Sequence, residues 1–363
     1  MTSILQLRQW AMKPVTRQYQ SLSEALSEIK FIQYDPIKSP LSAQDLILFQ
    51  RVKGYKPSDL EAVYPNSEFE EDYLHVYGVL SKQIATLLQP RRHYRKTSTL
   101  YQPSGLAADV LAFVRDRENV LPKDLVSALG QGSVINAWGG KSAATTRALE
   151  ELHYYGHLRV SRRMNSNKVY ALARPVTHDV SDEKRLEILI QLMVELLAPV
   201  SEAGLKRALG QLRSYSGHLG NSNATLKTLL ASGAIESQKV EGVLYYLPVG
   251  MPSLQQDFTD EQVRFLAPFD PVVWDRTRFE HLWGWAYRFE AYTPQHARRF
   301  GYYALPMFYG NQAVGWVNIS KNKNGSIDIE RGFAKPNRLG VEFEHTYAQE
   351  VERFVAVLGV KTK

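Results

Sequence analysis

Apolar residues recur at helical spacing along much of the chain. Over residues 182–197, Leu186, Leu189, Ile190, Met193 and Leu197 stand three or four apart, the spacing of one helix face. The same rhythm predicts helices over residues 4–12, 21–30, 59–64, 71–88, 105–117, 122–129 and 201–209. Ser21 or Ser23 supplies an N-cap for the second of these. Two helical segments belong to a repeat. Leu149, Leu152, Gly156 and Leu158 correspond to Leu226, Leu229, Gly233 and Ile235 at a constant offset of 77. In each copy a helix with leucines three apart meets a glycine, the residue suited to a left-handed position just past a helix end. A strand, a polar turn and a second strand follow. These are residues 157–162 and 168–172 around Met164-Asn165-Ser166-Asn167, and residues 234–240 and 243–247 around Glu241-Gly242.

Three helices followed by a two-stranded hairpin make a winged helix. Taken singly, each unit is equally well a generic α+β packing module; two in tandem in a basic chain favour nucleic acid. The N-terminal hundred residues read as a third, more divergent copy. From about residue 265 Phe, Tyr, Trp, Gly and Pro become dense. Short alternating runs at 287–292, 301–305, 313–319 and 326–329 are separated by turn residues such as Gly310-Asn311 and Lys323-Asn324-Gly325. The expected fold is therefore α+β: three tandem winged-helix domains with a C-terminal antiparallel β-barrel-like domain, closed by an amphipathic helix over 341–358. The segments are 1–100, 104–175, 180–250 and 260–363.

Composition narrows the function. The chain has 363 residues, 44% of them hydrophobic and 22% charged, with a net charge of +7. An anionic partner suits that excess, nucleic acid ahead of a membrane surface. There is no cysteine, which excludes disulfides, thiolate zinc sites, iron–sulfur clusters and cysteine nucleophiles. No basic-then-apolar leader opens the sequence, and no apolar run approaches the ~20 residues of a membrane span. The expectation is a soluble cytoplasmic protein, with no metal and no cofactor.

Positive charge is clustered. Arg91, Arg92, Arg95 and Lys96 surround an aromatic, Tyr94. The first hairpin carries Arg159, Arg162, Arg163 and Lys168, and Arg147 precedes it on the helix. Lys206 and Arg207 occupy the matching region of the second copy, with Arg213 nearby. Each cluster alone could be a solvated face. Their recurrence on matching elements makes all of them candidate phosphate contacts.

The candidate chemistry lies in Phe31-Ile32-Gln33-Tyr34-Asp35-Pro36. If this run is extended, Gln33 and Asp35 share a face, and an amide with a carboxylate can hold and activate one water. By spacing alone, Asp before Pro is more often a turn or helix-entry residue. Glu70, Glu71, Asp72 and His75 read either as a second polar shell or, ahead of that, as an acid-rich helix start. Trp283 and Trp285 alternate as on a strand face.

Residues 31–52, FIQYDPIKSPLSAQDLILFQRV, and 265–289, FLAPFDPVVWDRTRFEHLWGWAYRF, resemble the start and the C-terminal segment of the AlkZ/YcaQ family of bacterial DNA glycosylases. The resemblance extends over nearly the whole chain. That family's signature is Gln, an apolar or aromatic residue, then Asp or Gln; Gln33-Tyr34-Asp35 is the carboxylate version, as in the YcaQ branch. The resemblance implies winged helices and a β-barrel around a DNA channel. It implies a monofunctional glycosylase that hydrolyses the N-glycosidic bond of N7-alkylated purines, unhooks interstrand crosslinks and leaves an abasic site. Asp35 would stabilise the sugar cation and take the water's proton, with Gln33 positioning the water. The implied partner is double-stranded DNA with alkylated or crosslinked bases, bound by a monomer. After the signature, residues 39–45 stand where other members carry a more basic, His-containing run, which bears on the substrate range rather than on the reaction type. Two rivals are a non-catalytic winged-helix regulator and an idle scaffold that binds damaged DNA. A regulator usually needs a dimer helix, and none is evident in the sequence.

Overall fold

The repeat seen in the sequence is repeated in the backbone. Gly156 and Gly233 both adopt left-handed φ values, 78° and 72°. One residue beyond each, an N–H reaches back to close the helix end: His157 donates to the Leu152 carbonyl and Ala234 to that of Leu229, both at 2.9 Å. The hairpin turns match as well. Asn165 and Ser166 (φ 51° and 66°), and Glu241 and Gly242 (φ 47° and 87°), are left-handed in pairs. Such turns carry the twist that antiparallel strands need.

The computed structural model describes residues 2–63, 67–92, 99–130, 132–135, 141–251, 260–322, 326–335 and 339–359. The protein is mixed α+β, with several small antiparallel sheets. It divides into two compact units. The first comprises Met1–Pro57, Gln191–Ala208 and Lys227–Lys363; the second comprises Ser58–Ile190 and Leu209–Leu226. No helix among the described residues is long and apolar enough to cross a membrane.

In the second unit, helices Leu106–Arg115, Pro122–Leu129 and Ala144–Tyr154 precede the hairpin Leu158–Met164 and Asn167–Leu172. Val110, Val114, Leu125, Leu149, Leu152 and Tyr170 form their shared core. The segment predicted as one helix over 71–88 folds otherwise. Phe69–Tyr73 and Tyr77–Ser81 pair as an antiparallel hairpin, and only Lys82–Leu88 is helical, with Ser81 as its N-cap. Glu71, Asp72 and His75 are all buried, a burial pattern that a solvent-facing helix start would not give.

In the first unit, helices Ile4–Thr16 and Leu22–Ile29 lead to the strand Phe31–Gln33 and the helix Ala43–Phe49. Ser21 caps the second helix by accepting the Glu24 N–H at 3.1 Å. The hairpin Ile235–Val240 and Val243–Pro248 takes Val200–Ser201 as a third strand. Strands Val263–Phe265, Leu305–Tyr309, Gln312–Lys321 and Ile327–Phe333 then form one sheet in sequential antiparallel order. Among the described residues this sheet is open, not a closed barrel. Side chains just fill a barrel of about eight strands, whereas here the first and last of four strands are edges. Helix Val341–Leu358 packs Phe343 and Phe354 inward, the latter with its ring 5.4 Å from Phe265.

Two further expectations are corrected. Residues 287–292 form no strand. Trp283 closes the helix Arg276–Trp283 at a left-handed Gly284, so it does not alternate with Trp285 along a strand. Both indoles are nevertheless core residues, packed with Leu7, Trp10, Phe279 and Phe308.

Candidate active site

Helix Leu22–Ile29 ends at Lys30 in the left-handed region (φ 63°), which turns the chain sharply into the strand Phe31–Gln33. Phe31 and Ile32 are buried and anchor it. The strand stops at Gln33, so strand alternation does not itself bring Asp35 to Gln33. Asp35 is placed by its own turn. Its Oδ1 accepts the Ile37 N–H at 2.9 Å across Pro36, an Asx turn of the kind Asp favours. Its N–H donates to Oε1 of Gln44 at 3.2 Å. Gln44 is buried on the helix Ala43–Phe49, which ties the loop to that helix.

Burial dominates the chemistry of Asp35. Loss of solvent pushes its carboxyl above the ordinary range, and the Ile37 N–H partly offsets this by favouring the charged form. Among the described residues the Gln33 amide Oε1 is buried without a hydrogen-bond partner, as is the Tyr303 hydroxyl. Tyr303 and Tyr292 both feel the Asp35 charge. They belong to an aromatic set in which Phe289 lies 5.2 Å from Tyr303, 4.9 Å from Phe269 and 6.1 Å from Tyr292, ring centre to ring centre. Tyr292 is 79% exposed and Tyr303 is 2% exposed. A desolvated carboxylate, an unpartnered amide oxygen and aromatic faces are each suited to a flat, positively charged group.

A family model described as DNA glycosylase AlkZ-like matches residues 26–356. The chain belongs to this AlkZ-like family. It is accordingly a DNA repair glycosylase, an enzyme that hydrolyses N-glycosyl bonds, with DNA as its partner. Gln33, Asp35 and Tyr303 all lie within the matched span.

The cations that the sequence offers for DNA have unequal positions in this AlkZ-like chain. Arg91 is fully buried. It pairs with Asp72 at 3.0 Å and donates to the Tyr154 and Tyr73 carbonyls. Arg163 is nearly as buried and grips Glu71 with two hydrogen bonds of 2.6 and 2.7 Å. Both guanidinium groups are thus engaged inside the second unit, with little surface left to either. They are attached to the very strand that the sequence suggests is a helix. Lys168 sits 3.8 Å above the Tyr77 ring, and burial pulls its amine down. Arg92 bonds Asp182 at 2.9 Å. Arg159 is partly buried near Glu70, whose carboxyl burial and the Asp72 charge push up to about 7. Arg147, Arg162, Lys206 and Arg207 are exposed. Arg95 and Lys96 lie outside the described residues.

His75 and His153 are neutral, lowered by burial to about 3 and about 4. His153 shares a hydrogen bond with the Glu71 carbonyl at 3.0 Å. Glu71 and Asp72 thus belong to an internally bonded network of the second unit. Among the described residues no group of three or more His, Asp or Glu could hold a metal ion. Nothing in the sequence pattern singles out Gln44, Tyr292 or Tyr303; the aromatic density after residue 265 is the one available signal, and along the chain it reads as an antiparallel β unit.

Proposed function

We propose that this chain hydrolyses the N-glycosidic bond of N7-alkylated purines in double-stranded DNA, leaves an abasic site and unhooks interstrand crosslinks. The observation that carries the proposal is the half-buried Asp35 carboxylate, with Oδ1 held by the Ile37 N–H. An N7-alkylpurine is cationic, so its C1′–N bond breaks with the electron pair going to the base. The sugar is left as an oxocarbenium-like cation. Asp35 stabilises that charge and takes a proton from the water that bonds to C1′. Gln33 accepts the water's other hydrogen on its unpartnered Oε1. No covalent enzyme intermediate is needed, which supports a monofunctional enzyme. The aspartate at the third signature position favours the YcaQ-like branch.

We read the helix–hairpin units of 104–175 and 180–250 as winged helices, with 1–100 as a third and 260–363 as the C-terminal domain. In this reading Arg147, Arg162, Lys206 and Arg207 meet phosphates, joined by Arg92, Arg95, Lys96, Arg159 and Lys168, and the protein works in the cytoplasm as a monomer.

The test is release of free base and alkali-labile sites from duplex DNA containing N7-methylguanine. Release no faster than the spontaneous rate would remove the proposal for that lesion, leaving the DNA-binding regulator as the reading. The pH profile is a further check. Asp35 works ionised and its carboxyl is raised, so activity should be lost as pH falls through a value above the ordinary carboxylate range. An acid limb at or below the ordinary range would contradict the burial of Asp35.

The two neighbouring wing arginines should separate. Arg162→Ala is expected to weaken binding to any duplex and to reduce the salt slope of the affinity by about 1. Arg163→Ala should instead lower the melting temperature, because it strands buried Glu71. Equal salt slopes for Arg162→Ala and wild type would take that wing out of the interface.

A further inference from the structure

The hydroxyl of Tyr303 is a buried donor with no acceptor among the described residues. It is one of the few buried side-chain atoms without a hydrogen-bond partner among the described residues, together with Gln33 Oε1. Its ring is held between apolar neighbours, edge-on to Phe289 at 5.2 Å and 6.5 Å from Phe269. Burial, and after it the charge of Asp35, holds the phenol far above its ordinary value. The hydroxyl therefore keeps its proton at any working pH and is available as a donor. A buried hydroxyl without a partner costs stability. Such a group is retained where strain or an unmet bond serves a site.

We infer that Tyr303 is a positioning residue for base excision: its hydroxyl donates to the Asp35 carboxylate once DNA is engaged, fixing the carboxylate toward the attacking water. The backbone fixes Oδ1 through Ile37, but a single bond leaves the carboxylate free to rock. A second donor removes that freedom and favours the ionised form on which the reaction depends. Hydrogen bonds of this kind are often long in the free enzyme and tighten only with substrate. The titratable groups around Tyr303 are Asp35 and the phenols of Tyr287, Tyr292 and Tyr302. None of these phenols brings a positive charge that could replace the donor.

This inference rests on the assignment of Asp35 above, so the experiment runs wild type, Tyr303→Phe and Asp35→Asn side by side. Single-turnover release of N7-methylguanine is measured across pH, together with duplex affinity and melting temperature. Tyr303→Phe should release base roughly 10- to 100-fold more slowly, with duplex affinity unchanged. Its acid limb should move to higher pH by about one unit, because a carboxylate that loses a donor protonates more readily. Its melting temperature should equal or exceed that of wild type. A wild-type rate and acid limb in Tyr303→Phe, with Asp35→Asn inactive, overturns the inference and leaves the Asp35 assignment standing. A lower melting temperature also overturns it, because the hydroxyl would then have a structural partner. Full activity in Asp35→Asn removes the assignment itself and the inference with it.

Discussion

Asp35→Asn is expected to slow base release by roughly 10²- to 10⁴-fold while leaving the fold and duplex affinity in place. The change is nearly isosteric. The asparagine Oδ1 can still accept the Ile37 N–H that forms the turn, and the Asp35 N–H can still reach Gln44. Only the charge and the basic oxygen are lost. Both matter most where solvent is excluded, because a developing sugar cation is stabilised more strongly by a carboxylate in a low-dielectric site than in water. The measurement is single-turnover release of N7-methylguanine, with abasic sites revealed by alkaline cleavage and a melting curve as the fold control. A rate within a fewfold of wild type would show that Asp35 is not the group that handles charge and proton.

The second large effect concerns stability. Asp270→Ala should cost about 3–5 kcal/mol, read from the urea midpoint or the melting temperature. Arg51 and Asp270 are essentially without exposed surface and meet through two hydrogen bonds of 2.7 and 2.9 Å. Asp270 also caps the following helix by accepting the Val272 N–H at 3.0 Å. Removing it leaves the Arg51 guanidinium buried with the Ile47 carbonyl at 3.1 Å as its remaining acceptor. The double replacement Arg51→Met with Asp270→Leu should lose much less, because no charge is then stranded. A loss below about 1 kcal/mol for the single change, the range of surface ion pairs, would mean that the pair is not buried. The pair also bears on the site. Arg51 follows the helix that carries Gln44, and Asp270 follows Phe269 of the aromatic set.

Asp275, the other buried acid of the C-terminal segment, serves as a similar internal joint. It accepts the Ser201 N–H at 3.1 Å and the Arg278 N–H at 3.1 Å. A Cβ on Gly204 would lie 2.0 Å from its Oδ2, so glycine is the residue that fits there. Both aspartates stand in sequence runs that resemble family markers, and their partners show what they hold together.

Local features were legible without tertiary information. The helix over 182–197, the glycine stops at 156 and 233 and the two-residue hairpin turns depend on periodicity and on left-handed backbone, which neighbouring residues dictate. The Gln33-Tyr34-Asp35 run was legible as chemistry, but its geometry was not. The strand ends at Gln33, and Asp35 is set by an Asx turn instead of by strand alternation. The helix expected over 71–88 failed because the polar residues that looked solvent-facing are buried against distant cations.

Burial is the property that the sequence by itself could not determine, because it depends on which remote segments pack together. Arg91, Arg162 and Arg163 look alike along the chain, yet Glu71 and Asp72 take up the first and third and leave the second at the surface. Tyr303 is 268 residues from Asp35, and only the folded chain puts the one in the other's field. The order of residues determined the helices, the turns and the presence of an amide beside a carboxylate. Packing decided which charges stay at the surface and how dry the carboxylate is, because the desolvation of a charge is set by everything around it.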